Sequence, residues 1–516
     1  MKKFKSILTF CITLILITTV LAMKGKKVLA VTEDYNFNNF TYKSSYGLTY
    51  NISNGTLNVN FQGQYKEIKF NLPNTINLAD CNKITINAIS ENGNVAFKFY
   101  DANENEVLVK WNCKGMGSQN YTITPNSTSK ITSIGIMSQD NSIYSAKVSS
   151  IQFDLNTAET LKEAYSGIYN KIGSAVTLNQ LKDTTTLDFI KKHYNSITME
   201  NEMKPDALLG SSPNLITVSE AKNKGYIIPD NYGEEYVPEI NFSNIDTVLK
   251  IAYDNSLSVR FHTLIWHNQT PTWFFKYNYN SNYSYCDTGT MDKRIEYYVK
   301  NIFAHVYSSN YGSVVYAWDI ANEYFHNTDN GTCHWTQIYG EEGKSPSYIR
   351  KAFIYANDML NYYKVRNNVK LFYNDYNTYM IADDIISMIS FINSENKLCD
   401  GVGMQSHLDV DWPSINYVGE AVQKFLDAGL EVQITELDVT INSRKDGYTL
   451  TDQANYYYDL MTMLNSKRKA GGNISGITFW GLYDSVSWRA SGKPLLFTDI
   501  DQPKEAFYSV IKAALN

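Results

Sequence analysis

Eight short apolar runs alternate with helical stretches between residues 171 and 480, and this alternation constrains the fold of the 516-residue chain more than any other feature. The predicted strands lie near residues 172–176, 196–199, 259–264, 314–318, 370–373, 401–404, 431–434 and 476–480. The clearest helices among them are predicted at 244–255, 291–306, 347–363, 381–394, 417–428 and 451–466. Eight such units in one unbroken stretch favour a closed (β/α)8 TIM barrel of the α/β class over an open doubly wound sheet.

The residues before this stretch have a different pattern. From residue 31 to residue 157, apolar and polar residues alternate in short runs, such as 83–89 and 95–100, and clusters of Asn, Gly and Ser separate the runs. Such alternation predicts an all-β sandwich. We therefore predict a β-sandwich domain at 31–157 and a barrel domain at 158–516, with no long linker between them.

Residues 1–30 have the pattern of a secretory signal peptide. Lysines at positions 2, 3 and 5 precede an apolar run at 7–23, and residues 28–30 (Val-Leu-Ala) offer a small-residue cleavage site. A retained membrane anchor is the alternative, because the run is long for a signal and further lysines follow it. Both alternatives export the remainder, which we predict to be secreted and without stable membrane association once the signal is removed.

The charge of the exported part argues against nucleic acid as a partner. The whole chain carries a formal charge of −6, and residues 1–30 hold six lysines and no acidic residue, so the remainder carries −6 − 6 = −12. An acidic body repels a polyphosphate, whereas a neutral polysaccharide meets no such penalty.

Cysteine and glycine patterns give no sign of a metal or a cofactor. Five cysteines follow residue 30, so at least one of them has no partner within the chain. A disulfide between Cys81 and Cys113 stays open. No cysteine or histidine pair has the spacing of a zinc site, and no GxGxxG or P-loop follows a predicted strand. We predict no metal and no cofactor, although structural calcium is left open.

Two carboxylate motifs lie at the ends of predicted strands. Trp-Asp-Ile-Ala-Asn-Glu ends at Glu323, and Ile-Thr-Glu-Leu-Asp contains Glu436 and ends at Asp438. The two glutamates are 436 − 323 = 113 residues apart, but a barrel brings the carboxyl ends of all its strands to one rim. A retaining glycoside hydrolase needs two carboxyl groups about 5 Å apart. The motifs therefore predict a sugar hydrolase.

Other polar and aromatic residues follow the same strand ends. The second strand is followed by Glu200, Asn201 and Lys204, and the third by a segment that holds two histidines, a tryptophan and a glutamine within eight residues. Gln405 and His407 follow the sixth strand, and Trp480 ends the eighth, with Trp488 eight residues later. Because active sites of TIM barrels lie at this rim, we predict that these residues bind substrate.

Seven segments in order carry a specific resemblance: ITMENEMKPD, VRFHTLIWHNQTPTWFF, WDIANE, LFYNDYNT, GMQSHL, ITELD and ITFWGLYDSVSWR. From about residue 161 to its end, the chain resembles the family 10 glycoside hydrolases, the endo-β-1,4-xylanases. Ala321 stands where that family usually has valine. The part at 31–155 resembles jelly-roll carbohydrate-binding modules, with family 22 as the nearest kind.

The resemblance implies a role for each matching residue. Glu436 resembles the nucleophile of a retaining double displacement, and Glu323 the general acid and base, whose pKa the charge of Glu436 is expected to raise. His407 resembles the histidine that hydrogen-bonds the nucleophile, and Asp438 is placed to orient that histidine. The residues that resemble the sugar-binding set are Glu200, Asn201, Lys204, His262, Trp266, Gln269, Asn322, Tyr376, Gln405, His407, Trp480 and Trp488, with Asn374 on the leaving-group side.

Three functions are compatible with the sequence. The favoured one is an endo-β-1,4-xylanase acting on xylan and xylo-oligosaccharides; the others are an endo-β-glucanase on a related barrel and a non-catalytic binding protein. The cluster Glu200-Asn201 with Lys204 argues against the glucanase, and the two glutamates argue against the scaffold. In the N-terminal domain, Trp111, Tyr100, Tyr65 and Tyr144 are candidate sugar platforms. The sequence leaves open whether the enzyme tolerates side chains on the xylan backbone, what its oligomeric state is, and what role residues 210–241 have.

Overall fold

The computed structural model describes residues 31–155, 160–327 and 333–514. The predicted signal peptide lies outside these residues. Within the described ranges, no helix is both long and apolar enough to cross a membrane. The chain divides into two compact units: the described residues up to Gly167, with Leu450–Thr462 and those from Pro503 onward, form one, and Ile168–Thr449 with Met463–Gln502 form the other.

The first unit contains a nine-stranded antiparallel sheet of order β2-β5-β8-β6-β9-β4-β3, with β1 paired to β9 and β7 to β6. Within β6, residues 81–89 pair with β9 and residues 95–100 pair with β8, so one long strand connects the two halves of the module. The strands are β1 (Val31–Tyr35), β2 (Thr41–Tyr46), β3 (Leu48–Ser53), β4 (Thr56–Gln62), β5 (Glu67–Asn77), β6 (Cys81–Tyr100), β7 (Glu106–Ile123), β8 (Lys130–Ser138) and β9 (Ile143–Leu155).

Alternate side chains of these strands form an apolar core. Ile84, Ile86, Phe97 and Phe99 of β6 are fully buried in it. Successive side chains of a strand point to opposite faces, so the alternating sequence places one face of each strand in the core. The β-rich N-terminal module predicted from that alternation is confirmed.

For two of the four tyrosine and tryptophan residues predicted to be sugar platforms in this module, the prediction is wrong. Tyr100 and Tyr144 are buried. The hydroxyl of Tyr100 donates to Glu67 Oε1 (2.5 Å), and that of Tyr144 donates to the carbonyl of Asn94. Tyrosines of this kind pack their rings in a core and satisfy the hydroxyl at its edge. Trp111, which is 46% exposed, and Tyr65 remain on the surface.

The cysteines of the described residues are buried thiols. Cys113 forms no disulfide, and its Sγ lies 3.9 Å and 3.8 Å from the carbonyl oxygens of Lys110 and Trp111, so the possible bridge to Cys81 is absent. Burial raises the pKa of Cys113 to about 11. In the second unit, burial likewise raises the pKa of Cys286 to about 11 and that of Cys399 to about 12.

Eight parallel strands form a closed barrel in the second unit. They are β10 (Lys171–Val176), β11 (Ser196–Met199), β14 (Ser258–Phe261), β15 (Val315–Asn322), β16 (Lys370–Asp375), β17 (Gly401–Met404), β19 (Glu431–Thr440) and β20 (Ile474–Phe479). Each pairs with the next along the chain, and β20 pairs with β10, which closes the ring. The predicted (β/α)8 barrel is confirmed. Short strands lie outside the ring: β12 (Leu215–Thr217), β13 (Tyr236–Pro238), β18 (His407–Asp409), β21 (Phe497–Asp499) and β22 (Gln502–Pro503).

The helices that alternate with these strands bury one apolar face. In Ser243–Asp254, for example, Ile245, Val248, Leu249 and Ala252 are buried at a spacing of three and four residues. The α-helices are Leu161–Ala164, Leu178–Lys182, Thr184–His193, Pro205–Leu209, Val218–Asn223, Ser243–Asp254, Thr288–Ser308, His334–Tyr339, Ser347–Tyr362, Ala382–Ile392, Ile415–Asp427, Leu450–Lys469 and Glu505–Ala513. Short 3₁₀ helices lie at Leu78–Asp80, Thr272–Phe275, Tyr277–Tyr279, Gly312–Val314, Tyr324–His326, Asp484–Val486 and Ala490–Gly492.

Three barrel strands extend beyond their predicted ends. β15 continues to Asn322, β16 to Asp375 and β19 to Thr440, whereas the apolar runs in the sequence end near 318, 373 and 434. The added residues include polar side chains, such as Asp319 and Glu436, that are buried and hydrogen-bonded inside the barrel. Polar residues can occupy a buried strand when their groups are paired. These extensions bring the polar residues of the rim into the sheet itself.

Candidate active site

A pocket of about 460 Å³ lies at the carboxyl ends of the barrel strands. Both predicted catalytic glutamates and nearly all of the predicted sugar-binding residues line it. The lining residues are Glu200, Asn201, Lys204, His262, Trp266, Asn322, Glu323, Tyr376, Asn377, Gln405, His407, Glu436, Trp480 and Trp488. Of the remaining predicted residues, Gln269 lies beside the pocket and donates to Asn201 Oδ1 (3.2 Å), and Asp438 lies behind His407.

Glu436 lies on β19 among groups that favour its charged form. Its Oε1 accepts a hydrogen bond from Asn374 Nδ2 (2.7 Å), and its Oε2 lies 3.2 Å from His407 Nε2. Burial would raise the pKa of Glu436, but the hydrogen bond from His407 and the positive fields of His262 and His407 outweigh it and hold that pKa below its usual value. The Glu436 carboxylate is therefore ionised at neutral pH.

His407 is held between two carboxylates. Its Nδ1 lies 3.0 Å from Asp438 Oδ2, on the side opposite Glu436. Arg489 Nη1 donates to Asp438 Oδ1 (2.6 Å), and Trp488 Nε1 donates to Asp438 Oδ2 (3.2 Å). Burial lowers the pKa of His407, but the charges and hydrogen bonds of Asp438 and Glu436 overcome it and raise the pKa to about 10. An imidazolium is therefore the favoured neighbour of Glu436.

Glu323 lies directly after β15, at a sharp turn of the chain. Its backbone is left-handed (φ 56°), a conformation that costs a non-glycine residue about 1 kcal/mol or more. Its carboxyl accepts hydrogen bonds from Trp266 Nε1 and Gln405 Nε2, both at 2.8 Å. This turn directs the Glu323 carboxyl into the pocket, where two neutral donors hold it.

The pKa of Glu323 is raised, but the predicted cause is incomplete. Burial is the largest contribution, the negative charge of Asp375 comes next among the groups that raise it, and the charge of Glu436 is smaller. The hydrogen bonds from Gln405 and Trp266 oppose the increase. The prediction from the sequence named Glu436 alone as the cause, because Asp375, on the neighbouring strand, had no predicted role.

Three side-chain amides connect the two carboxyl groups. Gln405 Nε2 donates to Glu323 Oε1 and, at 3.2 Å, to Asn322 Oδ1. Asn374 Nδ2 donates to Asn322 Oδ1 (2.9 Å) and to Glu436 Oε1. Thr435 in turn donates to Asn374 Oδ1 (2.6 Å). The orientation of each amide is therefore fixed by its neighbours, and both carboxyl groups are held by one continuous network.

Charged and polar groups line the other side of the pocket. Lys204 Nζ donates to Asn201 Oδ1 (3.3 Å) and lies 4.9 Å from the centre of the Trp266 ring. Burial lowers the pKa of Lys204 against the opposing effect of Glu436 and Glu323. Burial, followed by the charge of Glu202, raises the pKa of Glu200. These donors and acceptors suit the hydroxyl groups of a sugar.

His262 is oriented by a buried ion pair that was not predicted from the sequence. Its Nδ1 lies 3.0 Å from Asp319 Oδ2, and Asp319 forms a bidentate pair with Arg260. Arg260 and Asp319 are fully buried within β14 and β15. Charged residues are rarely buried unless paired, so a charge inside one predicted strand (Arg260) and another directly after the next predicted strand (Asp319) were the available signal. Asn377, which also lines the pocket, was not predicted either.

Tryptophans form the apolar walls. Trp480 is 9% exposed and lies edge-on to the rings of His262 (5.7 Å) and His407 (6.2 Å). Trp488 is 67% exposed and lies edge-on to His407 at 5.0 Å. Trp480 is thus a fixed wall, whereas Trp488 stands at the mouth of the pocket.

A larger groove of about 810 Å³ lies along helix Thr288–Ser308, away from the strand ends. Its charged groups are paired with each other: Lys224 with Glu239 (2.5 Å) and His305 with Asp246 (2.6 Å). Part of the segment 210–241 lines this groove, but no residue of the segment lines the 460 Å³ pocket. The groove is larger than the pocket at the strand ends, but neither predicted catalytic glutamate lines it, so it is not the candidate active site.

No group of three or more His, Cys, Asp or Glu side chains in residues 31–155, 160–327 and 333–514 could hold a metal ion. Two carboxyl groups, one favoured as the anion and the other as the acid, are the pair required for acid-assisted displacement at a sugar carbon.

Comparisons with known proteins agree with this chemistry. The model of glycosyl hydrolase family 10 matches residues 160–513. Endo-1,4-beta-xylanase A of Butyrivibrio fibrisolvens is 47% identical over 362 residues, which cover 70% of this chain and 86% of that protein. Endo-1,4-beta-xylanase Y of Acetivibrio thermocellus is 33% identical over 402 residues, which cover 72% of this chain and 33% of that protein.

A solved structure extends the likeness to the N-terminal module. The CBM22-1 and GH10 modules of a Clostridium thermocellum endo-1,4-beta-D-xylanase, complexed with xylohexaose, match with a TM-score of 0.58 and 26% identity. The match covers 94% of this chain and 96% of that one. Because the family model spans most of the sequence and the Butyrivibrio relative is alike over most of its own length, the chain belongs to glycosyl hydrolase family 10.

Proposed function

We propose that this protein is a retaining endo-1,4-β-xylanase that hydrolyses internal bonds of xylan and xylo-oligosaccharides, with Glu436 as the nucleophile and Glu323 as the general acid and base. The main support for this proposal is a contrast within one pocket: the pKa of Glu436 is lowered and that of Glu323 is raised. Two carboxyl groups with opposite shifts are the mark of a divided acid and nucleophile role.

The reaction proceeds in two displacements. In the first, a carboxylate oxygen of Glu436 bonds to the anomeric carbon while the glycosidic C–O bond breaks, and Glu323 gives its proton to the departing oxygen. In the second, the Glu323 carboxylate takes a proton from a water molecule whose oxygen attacks the anomeric carbon, and the bond to Glu436 breaks. Two inversions at one carbon give net retention.

The groups around the carboxyls fit this cycle. The positive His407 keeps Glu436 charged before attack. Once Glu436 is esterified its negative charge is gone, so one contribution to the raised pKa of Glu323 disappears. Glu323 then loses its proton more easily, as the base of the second step requires.

The substrate class is inferred from the likeness and from the pocket. The relatives carry the name endo-1,4-beta-xylanase, and the matched crystal structure holds xylohexaose. Trp480 and Trp488 offer ring faces for flat pyranose units. Trp480 is held against His262 and His407, which limits the room for the hydroxymethyl group of a hexose.

Two further parts of the proposal concern the N-terminal residues. The apolar run at 7–23, preceded by lysines, supports secretion through a cleaved signal peptide. Trp111, exposed on the β-rich module, supports a contribution of that module to polysaccharide binding. Mass determination of the mature N-terminus after expression with residues 1–30 would test the first; uncleaved, cell-bound protein would contradict it.

The test of the activity is product analysis on xylan, carboxymethylcellulose and mixed-linkage glucan in parallel. We expect rapid release of short xylo-oligosaccharides from xylan and little release from the two glucans. Nuclear magnetic resonance of the first product should show the β-anomer before mutarotation. Faster hydrolysis of either glucan would favour the endo-β-glucanase, and an initial α-anomer would contradict the retaining mechanism.

A further inference from the structure

The turn after Glu323 is tied to the end of β16 by a compact network. The hydroxyl of Tyr373 accepts a hydrogen bond from the backbone N–H of Tyr324 (3.0 Å) and donates to Asp375 Oδ2. The other oxygen, Asp375 Oδ1, lies 2.7 Å from His326 Nδ1 and accepts from the backbone N–H of Tyr376 (2.8 Å). The acid-bearing turn and the strand end beside it are therefore held by Asp375.

His326 has a second contact that reaches the pocket. Its ring stacks on the ring of Tyr376, with 3.8 Å between centroids and 24° between planes. Tyr376 and Asn377 line the pocket on the β16 side. The His326 side chain is largely buried and does not line the pocket itself. One imidazole thus supports both Asp375 and the Tyr376 wall from behind.

The charge of Asp375 matters for Glu323. Asp375 is buried, and its negative charge raises the pKa of Glu323 more than the charge of Glu436 does. Burial is the largest effect and leaves the pKa of Asp375 above its usual value, although the hydrogen bond and charge of His326, followed by the hydrogen bond of Tyr373, lower it. His326 is therefore the principal group that favours the charged form of Asp375. The charged or titratable groups that act on Glu323 or share its pocket are Asp375, Glu436, Lys204, Glu200, His262, His407 and Tyr376.

We propose that His326 is a positioning residue for the leaving-group step: it holds Asp375 charged behind the acid Glu323 and holds the Tyr376 ring against the leaving-group end of the pocket. This inference rests on the proposed xylanase activity. His326 touches neither substrate nor the reacting atoms, so it acts through Asp375 and Tyr376. Its two contacts make two separable contributions, one to acid strength and one to binding of the departing chain.

Three variants separate these contributions. Asp375→Asn removes the negative charge, His326→Phe keeps a ring on Tyr376 but removes the contact with Asp375, and His326→Asn keeps an N–H donor but removes the ring. The matched control is His305→Phe. His305 also lies between an aspartate (Asp246 Oδ1, 2.6 Å) and a stacked ring (Phe242, 3.8 Å), but it lies in the other groove.

The measurement is the pH dependence of kcat/KM on a soluble xylo-oligosaccharide, whose basic limb reports loss of the Glu323 proton in the free enzyme. Asp375→Asn removes a charge that raises the pKa of Glu323, so the basic limb moves to lower pH, by about 0.5 unit or more. In His326→Phe, Asp375 loses the group that keeps it charged and takes up a proton, so the limb moves in the same direction. His326→Asn keeps a hydrogen bond to Asp375 but not the charge of His326, so the limb moves less than in His326→Phe, and KM for substrates with long leaving chains rises several-fold.

A merely structural role for His326 would lower kcat in all variants without moving the limb. Thermal melting of each variant checks that it is folded. The inference is overturned if the folded Asp375→Asn and His326→Phe enzymes keep the wild-type limb, or if His305→Phe moves it equally. If the wild type is active and the variants keep its basic limb, the proposed function stands and only the inference about His326 fails. A wild type that is inactive on all xylosides overturns both proposals.

Discussion

Glu436 and Glu323 share one pocket, yet their surroundings change their acidity in opposite directions. Burial raises the pKa of both carboxyl groups. Glu436 has a positively charged donor, His407, whereas the donors of Glu323, Trp266 and Gln405, are neutral and a negative Asp375 lies nearby. The charge of the neighbouring groups, and not the depth of burial, therefore distinguishes the nucleophile from the acid.

Removal of the Glu436 carboxylate is the most severe way to break this contrast. Glu436→Gln keeps the size and one hydrogen-bonding oxygen but removes the attacking anion, so xylan turnover should fall by about a thousandfold or more. Initial rates of reducing-sugar release measure it, and circular dichroism serves as the folding control. Retention of even about a tenth of wild-type turnover would contradict the nucleophile assignment.

The next test removes the acid alone. Glu323→Ala should lower xylan hydrolysis by about a hundredfold or more, because the sugar alcohol that departs needs a proton. Aryl xylosides with activated leaving groups need none in the first step, so their glycosylation should be largely spared. Paired rate measurements on xylan and a nitrophenyl xyloside decide; equal losses on both substrates would place the acid elsewhere.

A third change sharpens the comparison by making the two neighbourhoods more alike. His407→Asn removes the positive neighbour, so the pKa of Glu436 should rise. The lowered pKa keeps Glu436 ionised down to acidic pH. When the pKa of Glu436 rises in the variant, the acidic limb of kcat/KM should move to higher pH. One unit of pKa corresponds to about 1.4 kcal/mol, or tenfold in the ionisation equilibrium. An unchanged acidic limb would show that His407 does not control the charge of Glu436.

The smallest expected effect lies at the mouth of the pocket. Trp488 is largely exposed, so Trp488→Ala should cost about 1 kcal/mol of sugar contact, or roughly a fivefold rise in KM, with kcat nearly unchanged. Steady-state kinetics on xylotetraose measure both constants. A large fall in kcat instead would mean that the hydrogen bond from Trp488 to Asp438 supports the charge of His407.

The barrel and the two glutamates could be predicted because their signals lie in short, local patterns. The apolar runs predicted the strands, and the predicted catalytic and sugar-binding side chains follow these runs directly in the sequence. Asp375, His326 and Arg489 were missed for a physical reason: each acts through another side chain, across strands or turns, at a distance that linear spacing does not encode. Tyr100 and Tyr144 were misassigned because an alternating strand pattern shows which residues share a face, but not which face is buried.

The buried thiols can report the order in which parts of the chain unfold. A thiol reagent attacks the thiolate, and a buried cysteine with a raised pKa supplies almost none until its surroundings open. Cys113 lies in the first unit, whereas Cys286 and Cys399 lie in the second. The order in which these cysteines become labelled on heating would therefore time the loss of the β-rich module against the loss of the barrel, without any added probe.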